Sequence, residues 1–141
     1  MKKIISLFVI VILTITSVKA SHLPGGNITY QCVGPDQYLI TLTMYEDCGT
    51  GFMSSGSSFT INIENSCGLP SQVVSATETI FQNEVSQLCP TAQSTCDGGT
   101  LSGIWEHQYQ VLVTLPGACD SWTFYHSSCC RSGSINAPGT I

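Results

Sequence analysis

The chain has 141 residues, with four basic and nine acidic side chains, three histidines and eight cysteines. Lys2, Lys3 and Lys19 fall in the first 20 positions, so the remainder sets nine acidic groups against Arg131 alone, a formal charge of −8. That balance excludes recognition of nucleic acid or anionic lipid through a basic patch, and the scatter of the acidic residues excludes an acidic tail.

Lys2 and Lys3 precede an apolar run from Ile4 to Ile15, and Ser17-Val18-Lys19-Ala20 offers small residues where a signal peptidase reads. Residues 1–20 are therefore expected to be a secretory signal peptide, cleaved after Ala20 and in contact with a membrane only during export. The run is too short to span a bilayer, which needs about 20 apolar residues. Residues 21–141 suit a single domain that buries roughly two-thirds of its unfolded surface.

All eight cysteines (Cys32, Cys48, Cys67, Cys89, Cys96, Cys119, Cys129 and Cys130) follow the signal, and their number is even. In an exported chain this reads as a disulfide framework. Cys129 and Cys130 are adjacent, so in extended chain they face opposite sides and are expected to bond different partners. Cys89 and Cys96 bracket six residues, a loop that a local bridge would close. Zinc is disfavoured, because there is no CxxC pair.

In chain order, Asn27–Val33 alternates Ile28, Tyr30 and Cys32 with Thr29 and Gln31, and is the first expected strand. Gly34-Pro35-Asp36 has turn chemistry. Gln37–Tyr45 is rich in β-branched and aromatic residues and reads as the second strand. Cys48–Ser58 is a glycine- and serine-rich loop, followed by alternation of Phe59, Ile61 and Ile63 in a third strand. Ser66, Cys67, Gly68 and Pro70 then punctuate a turn. Gln72–Leu88 mixes helical spacing with extended-chain residues and is read as strand. A polar loop, Thr91–Gly103, leads into the longest pattern, in which Trp105, His107, Tyr109, Val111, Val113 and Leu115 alternate with Glu106, Gln108, Gln110 and Thr114. Leu112 is its odd step. Pro116 and Gly117 break the ladder, and Trp122 and Phe124 restart it. Short strands between glycine, proline and cysteine turns predict an all-β fold, a disulfide-stapled immunoglobulin-like β-sandwich. The sequence stops ten residues after Arg131, which reads as incompleteness at the C-terminus, the chain being the N-terminal part of a longer protein.

Chemistry is sparsely marked. His22, His107 and His126 accompany many serines, but none of these sits in a GxSxG elbow; His107 and His126 lie on aromatic strand faces and read as packed histidines. Glu46 and Asp47 are the adjacent carboxylates, pointing apart as a polar strand end. Asp36, Asp47, Asp97 and Asp120 fall in or near loops but lack the spacing of a calcium loop. Trp105 and Trp122 are the possible ligand contacts, set against packing beside a disulfide. Asn27-Ile28-Thr29 fits the N-glycosylation pattern, silent in a bacterial host. No catalytic residue, metal ligand or cofactor site is assigned.

Several groups of residues together carry a resemblance: Ser21-His22-Leu23-Pro24-Gly25-Gly26-Asn27-Ile28-Thr29-Tyr30-Gln31-Cys32; Tyr38 to Cys48, ending Tyr45-Glu46-Asp47-Cys48; Cys96-Asp97-Gly98-Gly99; Val113-Thr114-Leu115-Pro116; Cys119 with Trp122; and Cys129-Cys130-Arg131. In these the chain resembles the N-terminal domain of large secreted surface proteins of gliding, Bacteroidetes-type bacteria, the gliding motility-associated C-terminal domain proteins. The resemblance implies a disulfide-bonded β-domain opening a long adhesin-like protein, with repeated β-sandwich modules and a type IX secretion signal further on. It carries no catalytic residues. The expected function is thus a noncatalytic, exported structural or adhesion module meeting a glycan or protein ligand. The alternatives are a carbohydrate-binding module and a small secreted hydrolase.

Overall fold

The computed structural model describes residues 25–49 and 53–127; the expected signal peptide, His22, Cys129, Cys130 and Arg131 lie outside them. Six strands follow in order: β1 (Gly25–Gly34), β2 (Gln37–Asp47), β3 (Ser58–Asn65), β4 (Gln72–Glu84), β5 (Ile104–Thr114) and β6 (Trp122–Tyr125). A single 3₁₀ turn, Thr95–Asp97, interrupts the loop before β5. The mixed segment after Gln72 is strand, and its helical spacing is overridden by pairing on both of its edges. No helix among the described residues is long and apolar enough to cross a membrane.

All strands pair antiparallel in the order β1-β2-β5-β4-β3-β6. The alternating Trp105–Leu115 pattern becomes a central strand, in unbroken register with β2 from Gln37↔Thr114 to Asp47↔Ile104. A sandwich of immunoglobulin type would part these strands into two sheets. Instead they form one continuous, barrel-like sheet, and β4 is the reason. Its first half, Gln72–Thr77, pairs with β3. Its second half, Thr77–Glu84, pairs with β5 through two register shifts, beside which Gln82 takes a left-handed φ of 52°. Bulges of this kind bend a strand and raise its twist, so β4 turns the corner between two half-sheets.

One face of the curled sheet makes the core. Ile40, Leu42 and Met44 of β2, Ile61 and Ile63 of β3, Ala76 of β4, and Tyr109 and Val113 of β5 are buried together with Met53 and Leu115. Leu112 points to the opposite face and is 59% exposed, so the odd step in the alternation marks an outward position.

Among the described residues, two disulfides fasten the ends of the sheet. Cys48 at the end of β2 bonds Cys96 in the 3₁₀ turn, and Cys67 after β3 bonds Cys119 before β6. The local Cys89–Cys96 closure that the sequence allowed is not the one made: the loop doubles back so that Cys48 N–H donates to Gly103 O at 3.1 Å, bringing Cys96 over the end of β2. Gly103 permits that approach, since a Cβ there would lie 2.5 Å from Cys96 Sγ. Cys32 and Cys89 are exposed and unbridged. Disulfides of this sort form in oxidising compartments.

Candidate functional site

The antiparallel registers give the sheet two ends. At one end lie the β1–β2 turn, the end of β5 and the start of β6; at the other lie the end of β2, residues 53–57 before β3, the long 85–103 loop and the start of β5. A buried histidine–carboxylate pair lies toward the second end, and a cleft with aromatic walls opens at the first.

The polar cluster is sealed. Glu46 and His107 are both fully buried, with His107 Nε2 3.1 Å from Glu46 Oε2. In the β2–β5 register His107 sits opposite Met44, two positions from Glu46 on the same face, a diagonal that long side chains can span. The expectation that Glu46 and Asp47 form a polar strand end is corrected for Glu46, whose parity with Leu42 and Met44 turns it inward; Asp47 Oδ1 accepts from Gly49 N–H at 3.1 Å. Met53 N–H donates to Glu46 Oε1 at 2.8 Å, so the carboxylate also ties down the loop after β2. Phe81 meets the His107 ring edge-on at 5.1 Å. Tyr109 is buried against Phe59 and donates its hydroxyl to Met53 Sδ at 3.7 Å. Burial, with the nearby charges of Glu78 and Glu46, pushes its phenol up to about 12. Enclosed in this way, the Glu46–His107 pair is placed to hold the sheet and the loop together rather than to meet a substrate.

His126 is likewise packed at a rim: Nδ1 lies 2.8 Å from Thr60 O, and the ring stands edge-on to Phe59. Among the described residues no group of three or more His, Cys, Asp or Glu side chains is arranged to hold a metal ion.

The aromatic end is open. A cleft of about 180 Å³ is lined by Tyr30 of β1, Tyr38 of β2, Trp122 and Phe124 of β6, and Leu115, Cys119 and Asp120 of the β5–β6 connection. It forms where the sheet fails to close: β1 and β6 are its two edges, and Tyr30 bridges them, 5.5 Å from the Phe124 ring and 6.1 Å from that of Tyr38. Its walls are well fixed. The Cys67–Cys119 bridge staples the residue next to Asp120 to the β3–β4 turn. Asn65 holds that turn by accepting from Cys67 N–H and Leu69 N–H and donating to Leu69 O. Leu115 N–H donates to Asp36 O at 2.8 Å, joining the β5 end to the β1–β2 turn.

Of the two tryptophans singled out in the sequence, Trp122 lines this cleft and Trp105, half-buried at the start of β5, does not. Tyr30, Tyr38, Phe124 and Asp120 were not legible as a site, because they come from four separate segments that only the sheet order brings together. Compared with protein families, curated proteins and solved structures, the chain finds no match.

Proposed function

We propose that this chain is a noncatalytic module, exported to a cell surface or the extracellular space, that acts by adhesion through the aromatic cleft. The observation that carries this reading is a division among the described residues: the histidine–carboxylate pair is sealed in the core, while an open cleft is lined by four aromatic rings, Leu115, Cys119 and the carboxylate of Asp120. General acid–base work needs a titratable group within reach of the substrate, and the sealed pair offers none. Two long-range disulfides suit an oxidising destination.

The resemblance to gliding motility-associated surface proteins supports the same reading, with this domain at the start of an adhesin-like, type IX secreted chain whose further modules would be repeated β-sandwiches. The test is twofold. Cells producing the protein are fractionated, and intact cells are probed with antibody to the domain. Oxidised, purified protein is offered a panel of hydrolase substrates. Surface labelling without turnover is expected; reproducible turnover that stays with the purified, oxidised protein overturns the reading.

A further inference from the structure

Residues 25–127 contain no lysine or arginine, yet hold all nine acidic residues of the chain. A cleft in such a surface sits in a field of one sign, which draws in cations and repels anions. The cleft adds a second selection. Tyr30 packs edge-on against Tyr38, with an interplanar angle of 66° and centroids 6.1 Å apart, and tilted against Phe124, at 41° and 5.5 Å, so these rings are inclined to one another and do not form a flat stacking platform. Aromatic faces carry the negative lobe of a quadrupole and attract an ammonium group within about 6 Å of the ring centroid. Asp120 supplies a carboxylate at the same rim.

We propose that this cleft binds an organic ammonium group, that is, a quaternary or methylated amine, with Trp122, Tyr30, Tyr38 and Phe124 facing the cation and Asp120 balancing its charge. The proposal rests on the noncatalytic binding role above and names its ligand class. Size agrees. A volume of about 180 Å³ is below the roughly 300–1,000 Å³ of pockets that engulf drug-sized ligands, and suits one compact headgroup. The walls are set before binding by the Cys67–Cys119 bridge and the Asn65-held turn, which reduces the ordering cost of capture. A methylated amine on a protein side chain and a choline-type headgroup share this chemistry.

The test is a titration of the full oxidised chain, followed by tryptophan fluorescence and calorimetry. The probes are tetramethylammonium, choline, trimethyl-lysine, the neutral carbon isostere of choline, and a neutral methyl glycoside. Saturable binding of tetramethylammonium, weakened by salt and absent for the isostere, is expected. Whichever of choline and trimethyl-lysine binds more tightly identifies the source of the headgroup. Tyr30 is 64% exposed, so Tyr30→Leu leaves the fold intact and should weaken binding about twofold to fivefold, the worth of one exposed cation–π contact. Asp120→Asn should weaken it further and flatten the salt dependence. No saturation by any ammonium probe, or equal binding of the isostere or the glycoside, overturns the proposal. The noncatalytic reading would survive that result, because it falls only to turnover by the purified protein.

Discussion

His107 Nε2 lies 3.1 Å from Glu46 Oε2, and neither side chain has any exposed surface. A buried pair of this kind is a poor source of net stability but is costly to break, because removing one partner takes a buried hydrogen bond from the other, even though Glu46 still accepts from Met53 N–H. His107→Ala or Glu46→Ala should therefore each lower the free energy of unfolding by about 1–3 kcal/mol. Glu46→Leu combined with His107→Leu should recover much of that loss. Urea unfolding with the disulfides intact measures all three. Glu46→Ala should also loosen the loop after β2, visible as faster amide exchange at Met53, whose N–H the carboxylate accepts.

The bridges span 48 and 52 residues, long enough for each to restrict the unfolded chain by about 4 kcal/mol on the loop-entropy account. Replacing both cysteines of either pair by serine should cost up to that amount. A peptide map made without reductant should recover Cys48 linked to Cys96 and Cys67 linked to Cys119. A linked Cys89–Cys96 peptide would contradict the structure.

Gly103 lies against Cys96 Sγ and Ser94, with no room for a Cβ. Gly103→Ala should displace the 3₁₀ turn and cost about 1–3 kcal/mol, the usual penalty of overpacking. Gly25→Ala, where the added methyl meets nothing within 4 Å, is the control and should leave the melting temperature nearly unchanged.

Tyr109 holds its proton to about 12, first because it is buried and then because Glu78 and Glu46 lie near. In the unfolded chain an ordinary tyrosine ionises near about 10. The folded state therefore keeps a proton that the unfolded state loses, and the stability this contributes is fully present below pH 10 and disappears as pH rises from about 10 to about 12. Tyr109→Phe should flatten that alkaline fall. Denaturant unfolding at stepped alkaline pH, set beside the ultraviolet titration of phenolate, checks it.

Much of the fold could be read before the structure. Period-two alternation located five strands to within about two residues, and the Leu112 anomaly is explained by its outward position. What escaped was everything that depends on pairing across long separations. Nothing local to Cys48 names Cys96, and nothing in Gln72–Leu88 announces a strand that serves two neighbours in turn. Glu46 is the instructive case: beside Asp47 it read as part of a polar end, although counting by twos from Leu42 and Met44 places it on the buried face. For the cleft, one residue of the aromatic set, Trp122, was legible. Tyr30 and Phe124 gain their meaning from being on the two strands that fail to close the sheet.

The central claim is that the cleft between β1 and β6, and not the sealed polar cluster, meets the ligand. The two tryptophans report on it directly, because Trp122 lines the cleft and Trp105 does not. The measurement is a ¹H–¹⁵N spectrum of the oxidised chain recorded while tetramethylammonium is added. The account predicts a saturable shift of the Trp122 indole N–H with the Trp105 indole and the His107 backbone amide unmoved. A shift centred on Trp105 or His107, or no shift at either indole, would contradict it.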